Sequence, residues 1–147
     1  MGIFLRLLQE HLNKTLPESP SPFGRWLNPI VRKAEPGEFE LEFIVRQEMT
    51  NPAGIVHGGV IAAMLDETIG IMMFCLSEPN FKASINLVTD FLSPAKTGDQ
   101  LLVKARVTKQ GRNLFHGVAE MYRITDMRLI ATGSSHMYSK TSAENPV

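Results

Sequence analysis

The chain has a single cysteine, Cys75, so an intrachain disulfide is excluded. A reducing compartment, the cytoplasm, is the expected location. There is no surplus of either charge: 15 Lys and Arg stand against 15 Asp and Glu in 147 residues. A nucleic-acid binder needs a basic face to displace phosphate counterions, so that class is set aside. The four histidines, His11, His57, His116 and His136, have no metal-ligand spacing with one another or with Cys75, and no metal site is expected. No Gly-x-Ser-x-Gly elbow, phosphate loop or dinucleotide fingerprint occurs. The opening apolar run is broken by Arg6 and followed by no small-residue cleavage site, which argues against a leader. Arg6 also removes the myristoylation pattern at Gly2.

What is present is a chain with 44% hydrophobic residues, enough for one globular core. Ile3, Phe4, Leu7, Leu8 and Leu12 recur at helical spacing and predict an amphipathic helix ending near Asn13 or Lys14. Pro17, Pro20 and Pro22 then form a stiff connector. Residues 1–25 are thus read as helix plus connector, 26–140 as the folded domain and 141–147 as a polar, frayed tail. Inside the domain, a strand is expected from Trp26 to Lys33. A second follows from Glu38 to Val45, where Phe39, Leu41, Phe43 and Val45 alternate onto one face.

The segment His57 to Leu76 is apolar almost throughout and could reach roughly 30 Å as a helix, the thickness of a membrane core. Asp66 and Glu67 near its middle, together with the strand-rich remainder, argue against a spanning role. A soluble core helix wrapped by a sheet fits better. The sheet is supplied by Lys82–Leu92, Gln100–Gln110, Leu114–Ile124 and Leu129–Tyr138. In the second of these, Leu101, Val103, Ala105 and Val107 face inward while Lys104, Arg106 and Thr108 face out. The fold class is therefore α+β, a curled antiparallel sheet around one long helix.

Chemistry concentrates in the run from Asn51 to Glu67. Gly58 and Gly59 open the long helix, where backbone N–H groups lack intrahelical acceptors and lie at the positive end of the helix dipole. A developing oxyanion could be held there. Asp66 follows on a stripe with Gly59, Ala62, Ala63, Ile69 and Gly70, mostly small residues that leave room beside a carboxylate. The same stripe would also serve close helix packing. Glu67 points roughly 100° away and is expected to be solvated or salt-bridged. His57 is either a base or the residue that orients the loop. Asn51 either positions water or closes an Asx-turn before Pro52. Ser84, near a strand start, either reaches a ligand or is structural.

Three segments, Asn51–Gly70, Ser84–Ala95 with its Phe-Leu-Ser-Pro-Ala ending, and Lys109-Gln-Gly-Arg112, together resemble the hotdog-fold acyl-CoA thioesterases. The branch is that of the phenylacetate-pathway and aryl 4-hydroxybenzoyl-CoA enzymes, and the likeness spans roughly 26–140. It implies hydrolysis of an acyl-CoA substrate without a cofactor, by a homodimer or homotetramer. It makes Asp66 the general base or nucleophile, and the Gly58 N–H the group that polarises the thioester carbonyl from the facing subunit. Asn51 is implied to contact the carbonyl or water, His57 to orient the loop and Ser84 to orient water. Lys109 and Arg112 are candidate partners for the phosphates of CoA. Glu67 departs from the small polar residue of many relatives, so a register shift by one would exchange it with Asp66. Two other classes compete: a hotdog dehydratase or hydratase, which pairs histidine and carboxylate at other spacings, and a non-catalytic acyl-CoA binder. A DNA-reading sensor would need a helix-turn-helix that one short helix cannot supply.

Overall fold

The computed structural model describes residues 1–139; the expected polar tail lies outside the described residues. Three helices, α1 (Ile3–Glu10), α2 (Pro22–Leu27) and α3 (Gly58–Cys75), accompany seven strands. These are β1 (Ile30–Glu35), β2 (Glu38–Ile44), β3 (Ala83–Ser84), β4 (Val88–Phe91), β5 (Gln100–Gln110), β6 (Leu114–Arg123) and β7 (Arg128–Tyr138). They form one antiparallel sheet in the order β1-β2-β5-β6-β7-β3, with β4 also pairing β7. The sheet curls round α3, which is the hotdog architecture the resemblance implies.

The alternation read in β5 holds, with Leu101, Val103 and Ala105 turned onto the core. So does that of β2, where Phe39, Leu41 and Phe43 are fully buried. On the other face of β2, Glu42 is buried as well, because Arg32 Nε reaches its carboxylate at 2.6 Å. Helix α3 has the length and apolarity that a membrane span would need, and here its Met64, Leu65, Ile69, Met72 and Met73 are buried against the sheet. Gly117 on β6 permits the approach: a Cβ there would lie 2.8 Å from Met73 Cε and 3.2 Å from Ile69 Cγ2.

Three sequence expectations need correction. Helix α1 stops at Glu10, short of Asn13, because Asn13 turns to φ 65° and gives its N–H to the Val31 carbonyl at 2.7 Å. The strand expected from Trp26 starts only at Ile30. Pro22 opens a short helix instead, capped by Ser21 Oγ accepting from Gly24 N–H at 2.9 Å, and Trp26 belongs to that helix. The strand expected over Lys82–Leu92 is split into β3 and β4. Between them the Asn86 side chain replaces a ladder partner, its Oδ1 accepting from His136 N–H at 2.9 Å while Ser135 Oγ donates to its carbonyl.

Candidate active site

The loop before α3 is tied by short-range bonds. Asn51 Oδ1 accepts from Ala53 N–H at 3.0 Å and Ile55 N–H at 3.4 Å, so the Asx-turn role is formed. Its amide nitrogen makes no hydrogen bond among the described residues. His57 is the N-cap of α3: its Nδ1 accepts from Gly59 N–H at 2.9 Å, and its own N–H goes to the Met49 carbonyl at 2.8 Å. The imidazole thereby serves the helix end. Gly58, the first helical residue, has no acceptor for its N–H among the described residues.

Two turns further on, Asp66 is half-buried and faces a cleft of about 480 Å³. Ser84 Oγ, on β3, donates to Asp66 Oδ1 at 3.2 Å. No Lys, Arg or His side chain among the described residues forms an ion pair with Asp66. The cleft walls are otherwise largely apolar, with Phe4, Ile71, Phe74 and Phe81 among them. An unpaired carboxylate against an apolar cavity is an arrangement for chemistry on a small ligand.

Glu67 is half-buried and, among the described residues, makes no salt bridge of the kind the sequence suggests. Its Oε2 accepts from Ser21 Oγ at 3.4 Å, and its buried Oε1 has no partner and presses on Gly24, where a Cβ would collide with it. Burial pushes its carboxyl above the usual range; the Ser21 hydrogen bond pulls the other way, and the neighbouring Asp66 charge adds to the rise. The cause is α2, a six-residue helix of Pro, Phe, Gly, Arg, Trp and Leu with no periodicity to betray it. Asp66 and Glu67 both line the cleft but in different company: Asp66 meets the Ser84 hydroxyl, whereas Glu67 is held against Ser21 and Gly24 of the N-terminal segment.

Lys82 is the residue sequence analysis missed. It is 5% exposed, and its ammonium donates to the Met73 carbonyl at 2.7 Å and to Ser77 Oγ while lying 4.5 Å over the Phe115 ring. Burial lowers its pKa. It caps the carbonyl end of α3, a place the helix dipole favours for a cation, and its only sequence signal is its position just past the helix.

The remaining candidates lie apart. Gly58 is about 12 Å from Asp66 along α3 at 1.5 Å per residue. Lys109 and Arg112 are exposed around the β5–β6 turn and do not line the cleft. The register row Gln110–Phe115–Met137–Ser84 sets that turn three strands from Ser84, about 14 Å at the usual strand spacing. Within one chain the structure brings Asp66 and Ser84 together, groups Asn51, His57 and Gly58 at the start of α3, and leaves Lys109 and Arg112 separate.

The sequence model of the Thioesterase superfamily matches residues 53–130. Acyl-coenzyme A thioesterase 13 of Homo sapiens is 31% identical over 100 residues, which cover 68% of this chain and 71% of that protein. Among solved structures, the phenylacetic acid degradation-related protein of Ralstonia eutropha JMP134 superposes with a TM-score of 0.79 at 28% identity, covering 93% of this chain and 99% of its own. Zebrafish thioesterase superfamily member 2 gives a TM-score of 0.76 at 26% identity, over 92% and 94%.

Proposed function

Because the chain belongs to the Thioesterase superfamily, we propose that it hydrolyses an acyl-CoA thioester to the carboxylic acid and CoA. The observation that carries this is the Asp66 carboxylate, free of any cation, facing an apolar cleft with Ser84 Oγ on one of its oxygens. Ser84 engages Oδ1 and leaves Oδ2 to take a proton. Asp66 acts as general base toward water, or as nucleophile to give a mixed anhydride that water then opens. In the first route water adds to the carbonyl carbon as its proton passes to Asp66. The oxyanion then collapses, the C–S bond breaks, and the thiolate leaves with that proton.

The oxyanion is held by Gly58 N–H, the unpartnered amide at the start of α3. Asp66 and Gly58 of one chain stand too far apart for one carbonyl, so the amide comes from a second copy. An apolar sheet edge supports that pairing: Ile85, Val88, Phe91 and Leu92 of the β3–β4 edge are all exposed. His57 holds the loop that aims the amide, and Asn51 offers its free Nδ2 to the carbonyl or to water. Lys109 and Arg112 hold the CoA phosphates, supplied to the facing copy's cleft.

A panel of acyl-CoA substrates with free-thiol detection tests the proposal. Turnover of at least one member is expected. Binding of acyl-CoA without any thiol release would favour the non-catalytic alternative instead, and crotonyl-CoA hydration without hydrolysis would favour the hydratase.

A further inference from the structure

One wall of the cleft comes from a residue that precedes the sheet altogether. Asp66, Gly70 and Phe74 recur every fourth residue, share one stripe of α3 and all line the cleft, which therefore runs about 12 Å along the helix. Its middle is open, since nothing lies within 4 Å of where a Cβ on Gly70 would be. Beyond Gly70 the ring of Phe4, on α1, meets Phe74 edge to face with centroids 5.7 Å apart and planes at 69°. Phe4 is not on a loose arm. Its N–H and that of Leu5 donate to the two carboxylate oxygens of Glu78 at 3.1 Å each, so the start of α1 is tied to the residues just after α3. Leu5 and Leu8 are buried beneath it, and Gln9 Nε2 donates to the Ala34 carbonyl at 3.0 Å.

Given acyl-CoA hydrolysis at Asp66, on which this rests, we propose that Phe4 is the stop at the end of the acyl site and that α1 sets the longest acyl chain accepted. With the thioester carbonyl at Asp66, a straight chain reaches Phe4 after about nine carbons, taking the advance per carbon of an extended chain as ~1.3 Å and the cleft as ~12 Å. Shorter chains and single aromatic rings fit within the walls. A longer chain must unseat Phe4 from Phe74, together with a helix end held by Glu78. Selectivity is then a cut-off in length, and its position belongs to a residue that never touches the reacting atoms.

The test is a ladder of saturated acyl-CoA thioesters from two to sixteen carbons, read as kcat/KM, beside the affinities of non-hydrolysable thioether analogues of the same lengths. In the wild type both profiles should fall about tenfold or more once the chain passes the stop. Phe4→Ala should move the fall to longer chains by two or more carbons. Phe4→Trp should move it to shorter ones. Phe4→Leu keeps an apolar contact under α1 and should give an intermediate shift, which separates a lost stop from a lost helix; thermal melts check that α1 still docks. Ile3→Ala, an exposed change on the same helix, should leave the profile where it was. Unchanged cut-offs in Phe4→Ala and Phe4→Trp, with short-chain turnover intact, would overturn the proposal. Absence of hydrolysis in the wild type would count against the thioesterase reading alone, because the analogue affinities still report whether Phe4 limits chain length.

Discussion

Ser84 Oγ and Asp66 Oδ1 lie 3.2 Å apart, a bond between the edge strand of the sheet and the middle of its central helix. It engages one carboxylate oxygen and leaves the other without a protein partner among the described residues, as the proposed reaction needs. Asp66→Asn keeps the shape and removes the base, so the rate of thioester hydrolysis should fall by about two orders of magnitude or more. The melting temperature should stay level or rise, since a carboxylate facing an apolar cleft costs stability. Ser84→Ala should lose about tenfold, the scale of one hydrogen bond. Steady-state kinetics on all three proteins decide the matter; full activity in Asp66→Asn would remove this residue from the mechanism.

Glu67→Gln is the paired control, and it should keep most of the activity. Its effect belongs to stability. Burial raises the Glu67 carboxyl above its ordinary 4.5, so the folded chain holds that proton more tightly than the unfolded chain does. The stability supplied by the neutral acid is full below 4.5 and is lost as pH climbs through the raised folded value. Glutamine has no such loss. The variant should therefore gain on the wild type as pH rises above 4.5, by a margin that solvent screening keeps small because the group is only partly buried. Thermal melts at a series of pH values check this, and a gap that narrows with rising pH would contradict it.

The Gly58 assignment requires two copies of the chain. Sedimentation at low micromolar concentration should give a dimer or larger assembly, and mixing an Asp66→Asn chain with a chain disabled at Gly58 should restore part of the activity. A stable, fully active monomer would defeat the shared site.

Cys75 is buried at the end of α3, and its thiol is pushed up to about 12 by that burial, with the Glu78 carboxylate adding to the effect. It should resist thiol reagents until the chain unfolds, giving one reactive group in denaturant and none in buffer. The same property makes thiol detection of released CoA free of background from the protein. Rapid labelling of native protein would show the helix end to be more open than this.

Gly117→Val should destabilise the fold by about 1–3 kcal/mol, the usual cost of overfilling a packed core. The added methyls would meet Met73, Ile69 and Met72, through which α3 rests on the sheet. Chemical denaturation measures it, and a neutral result would mean the helix can withdraw.

Much of this architecture is legible in the sequence because its longest elements carry clean periods. β5 alternates over 11 residues, and α3 is an apolar run interrupted only by the Asp66-Glu67-Thr68 triplet. The pairing of Gly58 with an unmet N–H and of Asp66 with open space follows from helix geometry alone. What escaped was decided by tertiary contact. Trp26 was lost to a six-residue helix, and with that helix went the burial of Glu67, since nothing local says that Gly24 will lie on its carboxylate. Lys82 escaped for a similar reason: its partners are a helix carbonyl, a hydroxyl and the ring of Phe115, 33 positions away, and no spacing rule connects them. The Ser84–Asp66 bond spans 18 residues and depends on where a two-residue strand docks.

The sheet order also divides the chain by the entropy of bringing its parts together. β5, β6 and β7 are consecutive and joined by tight turns, so their ladders form between near neighbours in the chain. β2 meets β5 only after residues 45–99 have been looped out, a closure whose cost grows with the logarithm of that length. The three-strand meander is accordingly the part able to assemble early, with the α3 segment and the β1–β2 hairpin condensing on it later. Substitutions inside the meander should slow refolding, whereas those in β1 and β2 should chiefly hasten unfolding. Asp66 on α3 and Ser84 on β3 both lie within the looped-out stretch, so their hydrogen bond forms only when that stretch docks on the meander.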